Sequence, residues 1–548
     1  MVLKNQDFIT VNMSVDDVTK TELTSEDYIT KDVSGLTNFV TELNVDAKIE
    51  VEKNRAIAEE NKLNSKITVM EENGNALIPD VANGKQIIAS AITEKGVFTK
   101  STDSYQTMAN NIKQIYKGSY DESFKVIIDD TLPSPEVTRV GEPTFANWLE
   151  ENTHNIMVKN GAINYYLDRE NSLKKQNGTQ AIIDGTDGDI MIKLPRFWYS
   201  VIESSKGLEI SFSKIPQESA GWEESPELWV GATEAVIETR DGNNIARSCY
   251  NTTANFRGGN NNAAWDSTKK SLLGMPRTNM TRASFRTSCS NQGTFDSGIY
   301  HQYDFRTNLK LNLMFMCIYG TRNWQAPFSG YDLSTGKEKR NSDGFKYGGL
   351  GDGVITLDYD TWSKYNNINP FVPTNVGLNL GVRNGVVEYS VDFSTNDTPI
   401  IKSFNIPVFL GIINIYGHIW KFVDGVTKEV FLQGDIPITR WALFDDVKKY
   451  TDASIEGAYY TVEVTGLKSG YIKKLNKKFL VVSTGGDSLS YYSDYFYHSD
   501  TSSWYNYIVS GSANYGSVCG GWCVYSAGGV ANSDSDVGAR LCFAPKIL

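Results

Sequence analysis

The first hundred residues have a hydrophobic pattern that is typical of a coiled coil. Apolar residues recur there at alternating steps of four and three, as a and d positions do. They are Leu36, Val40, Leu43 and Ala47. The same register continues through Glu50, Asn54, Ile57, Asn61 and Asn64. Buried Asn layers weaken a coiled coil but fix its register and strand number. The pattern predicts a parallel coiled coil over residues 30–70, with a single amphipathic helix on a globular neighbour as the alternative.

Beyond residue 125 the pattern changes to short runs that are typical of strands. The run Ile190–Tyr199 predicts a strand that Pro195 ends, because proline cannot donate to a β-ladder. Just before it, residues 184–189 read DGTDGD and cluster carboxylates as a calcium loop does. The loop length and the final Glu of that motif are missing, which favours a simple hairpin turn.

Two patterns in the second half of the chain predict buried elements. One face of a predicted helix is marked by Leu309, Leu313, Met316 and Gly320. The segment Val537–Phe543 mixes apolar and small residues after a polar run, which predicts a buried closing strand. We expect Arg540 within it to be paired with buried carboxylate or carbonyl groups, since an unpaired buried charge is costly.

Composition disfavours several classes of function. The chain of 548 residues has room for two to four domains, and its net charge of −12 argues against nucleic acid as a main partner. Its apolar runs are too short to predict a membrane span, and the N-terminus does not read as a secretory signal. The 29 Tyr, 24 Phe and 11 Trp exceed the needs of a minimal core and suit contact with a glycan or a protein.

Residue types that carry enzyme chemistry are scarce or unsuitably spaced. The six cysteines are too dispersed for a disulfide framework, and Cys519 and Cys523 lack a second pair at zinc-site spacing. We therefore expect reduced thiols in a protein made in the cytoplasm. The four histidines form no metal motif, and His418 is expected to be a packed core or turn residue. The sequence predicts no enzyme, no cofactor and no metal site, although its many carboxylates leave a glycoside-hydrolase pair open.

The C-terminal window Ser488–Asp536 has the composition of a binding surface. Ser, Tyr, Asp and Asn occupy 27 of its 49 positions, and it contains no Lys, Arg, Glu, Gln, Met or Pro. Tyr supplies contact area at low entropy cost, and Ser, Gly and Asn supply adaptable hydrogen bonds. A flexible linker is the alternative, but a linker has no use for so many aromatic rings. The predicted ligand-binding face consists of Tyr492, Tyr495, Tyr497, Tyr505, Asn506, Tyr507, Ser512, Asn514, Tyr515, Tyr525, Ser526, Asn532, Asp534 and Asp536.

The order of residues in this window matches a family pattern that ends in GARL. The matching positions are Gly511, Asn514, Tyr515, Gly516, Gly520, Asn532, Asp534, Asp536, Val537, Gly538, Ala539, Arg540 and Leu541. Through them, residues 504–541 resemble the variable region of diversity-generating retroelement target proteins of the major tropism determinant type. That family randomises adenines, mostly in Asn codons, which cannot yield Lys, Glu, Gln or Met. The resemblance implies a hypervariable binding face followed by a fixed end, with Ser510 and Ala513 departing from the pattern.

Three other stretches carry a resemblance. Residues 83–115 (NGKQIIASAITEKGV and the helix after it) resemble a small helical module of phage tail and fibre proteins. Residues 276–325 resemble the helix-bearing region of phage and Bacteroidales C-type-lectin-like proteins. Residues 410–425 (LGIINIYGHIWKFVDG) resemble an element shared with formylglycine-generating-enzyme-like domains, with Lys421 where that family has an acidic residue. The EPN, QPD and WND motifs of calcium-dependent lectins are missing, which favours binding without a metal.

These patterns and resemblances together define the expected architecture and function. The expected fold class is α+β, with a C-type-lectin-like C-terminal domain on a helical, coiled-coil-containing N-terminal fibre region. Residues 1–75 would form the attachment region and coiled coil, 76–120 the small helical module, and 121–548 the lectin-like domain with its variable region at 488–541.

The function implied is that of a phage tail receptor-binding protein, a homotrimer on the virion. Its partners would be a bacterial surface glycan or protein and, through the N-terminus, other tail or baseplate proteins. The alternatives are a tail-associated glycan depolymerase and a lectin-like protein displayed on a bacterial surface. Both would need a signal that the sequence lacks: a marked catalytic pair for the first, an export signal for the second.

Overall fold

The structure is a computed structural model of the chain, and it divides into two compact units, Met1–Ser119 and Tyr120–Leu548. It describes residues 49–65, 78–94, 97, 99–114, 124–141, 144–217, 220–328, 331–332, 337–338, 359–395 and 397–546. Across these ranges it is a mixed α/β protein, mostly sheet, with seven α-helices. No helix within the described ranges is long and apolar enough to cross a membrane.

Helices make up the regular structure described in the first unit. They are α1 (49–65), α2 (Ile78–Glu94) and α3 (Tyr105–Gln114). Ala89, Ile92 and Met108 form a small buried core between α2 and α3. Thr93 caps the connection, because its Oγ1 accepts the backbone N–H of Thr99 at 3.0 Å. The small helical module predicted from residues 83–115 is therefore a helical hairpin with its own core.

The predicted coiled-coil seam is only partly covered by the structure. Its first four positions, Leu36 to Ala47, lie outside the described residues. Its later positions, Glu50, Asn54, Ile57, Asn61 and Asn64, lie on α1, and all five are exposed. Ile57 is 46% exposed, so an apolar side chain on this seam lies open in the single chain. The helix agrees with the prediction, and its pairing with other copies stays a prediction.

The second unit contains the sheets and the helices α4 (Thr144–Glu151), α5 (Arg282–Ser290), α6 (Phe305–Tyr319) and α7 (Tyr359–Asn366). Its first strands are β1 (Phe124–Asp129), β2 (Thr138–Val140), β3 (His154–Lys159), β4 (Ala162–Asp168), β5 (Asn171–Lys175), β6 (Asp189–Leu194), β7 (Phe197–Ser204), β8 (Gly207–Ser213), β9 (Trp222–Ser225), β10 (Leu228–Gly231), β11 (Val236–Arg240), β12 (Asn243–Arg247), β13 (Thr294–Phe295), β14 (Gly298–Gln302), β15 (Tyr331–Asp332) and β16 (Lys337–Glu338). The later strands are β17 (Gly385–Asp392), β18 (Ile401–Phe409), β19 (Ile412–Ile413), β20 (Trp420–Phe422), β21 (Val426–Gln433), β22 (Ile436–Leu443), β23 (Tyr460–Thr465), β24 (Gly470–Leu475), β25 (Val481–Thr484), β26 (Tyr495–His498), β27 (Ser503–Tyr505), β28 (Ile508–Val509), β29 (Val524–Ser526), β30 (Val537–Gly538) and β31 (Leu541–Pro545).

An eight-stranded sheet holds the last strand of the chain in its interior. Its order is β13-β14-β31-β10-β6-β3-β4-β5, and β31 is antiparallel to both of its neighbours. Phe543 of β31 lies opposite Trp229 of β10 and Tyr300 of β14. Its ring stacks on Trp229 with centroids 4.8 Å apart. Helix α5 packs against β14.

A seven-stranded sheet is built almost entirely from the C-terminal window and the strands next to it. Its order is β25-β24-β26-β29-β28-β20-β30. The pairs β26–β29 and β20–β30 are parallel. In each pair a long stretch of chain separates the two strands, as the crossover of a parallel pair requires. A buried apolar cluster that includes Trp229 and Phe543 of the eight-stranded sheet also contains Trp420 and Phe422 of β20. The two sheets therefore share a core, which makes the seven-stranded sheet a fixed support.

The strand that Pro195 was expected to end is β6, Asp189–Leu194, and a second strand, β7, follows the proline in a different sheet. Two other sequence expectations are corrected by the structure. Residues 184–189 do not form a hairpin turn, since the next strand, β6, pairs with β3 and β10 and not with β5. Helix α6 is buried on nearly all sides, so the one-faced pattern of Leu309 to Gly320 understated its burial.

Candidate functional site

Six of the fourteen predicted face residues are buried and cannot offer contact area to a ligand. They are Tyr492, Tyr505, Asn506, Tyr507, Ser512 and Ser526. Tyr507, for example, packs edge-on against Phe305 and Trp441, with ring centroids 5.9 and 5.8 Å away. The Tyr505 hydroxyl donates to the carbonyl of Thr501 at 2.6 Å. The expectation of a surface role for these six is wrong in this structure, because their rings and amides complete the core under the loops.

The other eight residues reach the surface. Asp534 is exposed. Tyr495, Tyr497, Asn514, Tyr515, Tyr525, Asn532 and Asp536 are each partly buried. Partial burial holds a side chain in place and still leaves part of it free for contact. These eight residues form the candidate binding face.

Three partly buried tyrosine rings form the centre of this face, and they pack on the buried ring of Trp420, which is 3% exposed. We call the four rings the ring quartet: Trp420, Tyr497, Tyr515 and Tyr525. The Trp420 centroid lies 5.0 Å from Tyr515, 5.8 Å from Tyr525 and 6.2 Å from Tyr497. The Tyr497 centroid lies 5.5 Å from Tyr515 and 5.7 Å from Tyr525. Such spacings are those of mutually packed aromatic side chains.

Strand register explains why these rings meet. Tyr497 of β26 is the direct partner of Tyr525 on the parallel neighbour β29. Tyr495 lies two residues before Tyr497 and thus on the same face of the sheet, with ring centroids 4.5 Å apart. Tyr471 of β24 pairs with Tyr495 and extends the row, with centroids 5.2 Å apart. A row of rings therefore crosses several strands of one sheet.

Sequence reasoning did not include Tyr471 in the face, or Trp420 beneath it. Both lie outside the window Ser488–Asp536, at positions 420 and 471 of the chain. Trp420 belongs to the stretch 410–425, which was noted for its resemblance alone. The alternation of β24, with Ile472 buried and Tyr471 partly exposed, is a signal that could have suggested Tyr471.

Polar groups border the quartet on the side of residues 512–536. The Ser512 hydroxyl donates to a carboxylate oxygen of Asp536 at 2.8 Å, and the Asn532 amide donates to Asp534 at 2.8 Å. Burial raises the pKa of Asp536 to about 6, and the nearby Asp534 carboxylate adds to the shift. The backbone of Asp536 is tied to β20, because its carbonyl accepts the N–H of Trp420 at 2.9 Å.

The tyrosine hydroxyls of the quartet stay protonated at neutral pH. Burial raises the pKa of Tyr497, Tyr515 and Tyr525, and neighbouring cysteine or aspartate groups raise it further. Each hydroxyl can thus donate one hydrogen bond and accept others.

The predicted closing segment lies behind this face, and its burial is confirmed. All residues from Val537 to Phe543 are buried. The segment forms two short strands, not one: β30 joins the seven-stranded sheet and β31 the eight-stranded sheet. The pairing of Arg540 with carbonyl groups is also confirmed. Its guanidinium donates to four backbone carbonyls, those of Gly231 (2.9 Å), Ala232 (3.1 Å), Ile413 (2.7 Å) and Asn414 (3.4 Å).

A buried ionic cluster lies next to Arg540. Glu234 accepts a hydrogen bond from Nδ1 of His418 at 2.6 Å and lies 3.0 Å from the ammonium of Lys421. The His418 Nε2 accepts two backbone N–H groups, those of Phe371 and Val372, which leaves Nδ1 as the nitrogen that donates to Glu234. Burial opposes ionisation of Glu234, but His418, Lys421 and Arg540 together lower its pKa to about 2.

This cluster accounts for two sequence observations. His418 is a packed core histidine, as expected, with none of its side chain exposed. Lys421, which stands where the resembling family has an acidic residue, is held by the buried Glu234 carboxylate. The cluster stabilises β20 from the face opposite Trp420, because successive residues of a strand point to opposite sides.

The two cysteines of the window are part of the core. Cys519 and Cys523 are both buried thiols, and burial raises the pKa of the Cys523 thiol. Asp494 is buried beside them and accepts the backbone N–H of Trp522 at 2.8 Å. Its carboxyl group fills the space over Gly520, where an added Cβ would lie 2.2 Å from Asp494 Oδ1. Glycine is thus required at position 520, which is one of the matched family positions.

Comparisons with known proteins add no identification. A scan against protein-family models finds no matching model, and a search of curated proteins finds no matching sequence. Among the residues that the structure describes, no three or more His, Cys, Asp or Glu side chains are grouped so that they could hold a metal ion.

Proposed function

We propose that this chain is a phage tail receptor-binding protein that contacts a bacterial surface molecule through the three tyrosines of the ring quartet and their polar border. The observation that carries the proposal is the row of partly exposed tyrosine rings on a sheet whose other face holds the buried side chains of Phe496, Val509 and Val524. Binding sites are commonly loops and strand ends held by a rigid support. Tyr and Trp are the residue types that dominate binding energy at interfaces.

The arrangement of variable and fixed parts supports the same function. Eight residues of the predicted binding face reach the surface, whereas Val537–Phe543, the segment after Asp536, is wholly buried. Substitution at the eight positions changes the surface, whereas substitution within Val537–Phe543 changes the core. The protein can therefore vary its surface residues without losing its fold as long as the buried segment stays fixed.

We also propose that the second unit has a C-type-lectin-like fold. Its C-terminal strand β31 lies between β10 and β14, and α5 and α6 come from the stretch that resembles phage lectin-like proteins. The N-terminal unit would then act as the fibre end of a homotrimer on the virion. The exposed seam of α1 and the helical hairpin α2–α3 support that role.

The test is binding of the labelled full-length protein to a panel of intact bacteria of diverse envelope type. We expect saturable binding to a restricted set of strains and no release of soluble sugar from the cells that bind. Release of oligosaccharide in proportion to time and protein would instead show a depolymerase. Binding to no strain, or equally to all of them, would contradict specific receptor recognition.

A further inference from the structure

The loop that carries Asn514 and Tyr515 is held by a residue from outside the C-terminal window. The side-chain amide of Gln325 donates from Nε2 to the carbonyls of Gly516 at 3.1 Å and of Cys519 at 2.7 Å. Gln325 is 3% exposed and lies 191 residues before Gly516 in the chain. Both bonds end on backbone carbonyls, which every residue type possesses. They therefore do not depend on which side chains the loop carries.

Gln325 is itself fixed by the turn that follows helix α6. Its backbone N–H donates to Oδ1 of Asn323 at 2.9 Å. The ring of the preceding residue, Trp324, stacks on Phe315 of α6 with centroids 3.9 Å apart, and its Nε1 donates to Oδ1 of Asn312 at 2.7 Å. The rotamer entropy of a glutamine is lost when this turn folds. The amide of Gln325 is therefore in place before any ligand arrives.

The same helix and turn hold the far end of the loop. Nδ2 of Asn312 donates to the carbonyl of Gly521 at 3.2 Å. Gly521 also lies against the Trp324 ring, since a Cβ added there would lie 2.3 Å from Cε2 of the indole. At the near end, the N–H of Ala513 donates to the carbonyl of His418 at 3.2 Å. Contacts to its backbone thus tie the loop of residues 513–521 at both ends and in the middle.

We propose that Gln325 is a positioning residue of the binding face, which holds residues 513–521 in one conformation so that Asn514 and Tyr515 meet a receptor already in place. The inference rests on the proposed binding face and says how that face keeps its shape when its side chains differ. Without the amide donor, the carbonyls of Gly516 and Cys519 lose a partner, which favours a loop opened towards water. A loop that is closed in about a tenth of the molecules would bind its receptor about tenfold more weakly.

The first test is hydrogen exchange of the full-length protein, measured by mass spectrometry on peptides that cover residues 513–521. The N–H groups of Val518 and Cys519 donate to carbonyls three residues earlier, at 3.4 and 3.2 Å, and close the short helical turn of this loop. In the wild type we expect them to exchange at least about tenfold more slowly than an unstructured chain does. Exchange at the unstructured rate would overturn the proposal, whether or not any variant folds.

A pair of glutamine variants separates the loop contact from burial of an amide in general. Gln325→Met keeps the length of the side chain and removes the donor, and should speed exchange of the loop at least about tenfold. Gln292→Met is the matched control, because Gln292 Nε2 also donates to two acceptors, Oδ2 of Asp189 at 2.9 Å and the carbonyl of Ala246 at 2.8 Å. Neither acceptor belongs to the loop, so its exchange should stay within about twofold of the wild type. Circular dichroism and light scattering of each variant check the fold and the oligomeric state.

The second test is a double-variant cycle on binding to a bacterial strain that the wild-type protein binds. If Gln325 acts through the loop, Gln325→Met should lower the affinity for cells at least about threefold more in the parent than in Tyr515→Ala, where the positioned ring is already missing. A role confined to stability would lower the affinity equally in both backgrounds.

Two results with folded variants would overturn the proposal: loop exchange that Gln325→Met leaves unchanged, and an equal loss of cell binding in the two backgrounds. The exchange measurement needs no receptor, so it separates this inference from the proposed function. If the loop responds as expected but the protein binds no strain, the hold of Gln325 on the loop is supported and the proposed function alone fails.

Discussion

Replacement of Arg540 by Met should destabilise the second unit strongly, because the guanidinium ties the closing segment to the ends of two distant strands, β10 and β19. Its four carbonyl partners belong to residues 231–232 and 413–414. The bonds to Ile413 and Gly231, at 2.7 and 2.9 Å, are the shortest. A buried polar group left unpaired costs about 1–3 kcal/mol, and two or three carbonyls would be left so. Removal of a buried charge returns part of this cost. We therefore expect a net loss of about 3–5 kcal/mol in the free energy of unfolding.

Urea unfolding followed by Trp fluorescence measures this loss, with Arg383→Met as the matched control. Arg383 also donates to backbone carbonyls and lies 3.1 Å from Glu170, but its side chain is 49% exposed. When Arg383 is replaced, water can hydrogen-bond the groups that it contacted. The control should therefore lose no more than about 1 kcal/mol in the free energy of unfolding. Equal shifts of the unfolding midpoint in the two variants would refute the reasoning that burial makes the Arg540 contacts strong.

Three further predictions concern buried aromatic and charged groups and assembly. Tyr507→Ala should lower the free energy of unfolding by about 3–5 kcal/mol, and Tyr507→Phe should lower it much less, as measured by thermal unfolding. Small and equal effects of the two substitutions would mean that Tyr507 lies at the surface. Burial lowers the pKa of Lys428 to about 7, although Asp500 opposes the shift. The unfolded state, with a Lys pKa near 10.4, then binds more protons than the folded state between about pH 7 and pH 10. The free energy of unfolding should therefore rise with pH across that window, by up to about 4 kcal/mol. Lys428→Met should remove this rise, and a variant with an unchanged pH profile would refute the role of Lys428. Light scattering should give about three times the 61.0 kDa of one chain, and about one copy after removal of residues 1–75. A full-length monomer at all concentrations would rule out the coiled coil.

The sequence allowed the closing segment to be predicted but not the depth of each tyrosine. The change from a polar run to small and apolar residues after Asp536 is a local signal, and burial of a charged Arg540 requires partners wherever the segment lies. Tyrosine, in contrast, suits both a surface and a core. Tyr497 and Tyr507 lie in sequence stretches of similar composition. Tyr497 nevertheless packs beside Tyr525 at the surface, whereas Tyr507 packs against Phe305 in the interior. Only the pairing of strands separates them.

Nonlocal pairing also explains why part of the face was missed. Trp420 joins the quartet because β20 lies between β28 and β30, strands that follow it by more than 80 residues in the chain. A composition window cannot include such a residue. The burial of α6 on nearly all sides has the same cause, since its neighbours come from several distant segments.

The measurement that tests the central claim most directly is binding of quartet variants to a strain that the wild-type protein binds. The double variant Tyr497→Ala/Tyr525→Ala should lower the affinity for cells at least about tenfold, because central aromatic residues dominate interface energy. The matched variant Tyr166→Ala/Tyr459→Ala removes two exposed tyrosines, 38% and 46% exposed, outside the face. It should bind as the wild type does, and both variants should keep the oligomeric state of the parent. Unchanged cell binding by the quartet variant, or an equal loss in both, would contradict the assignment of the binding face.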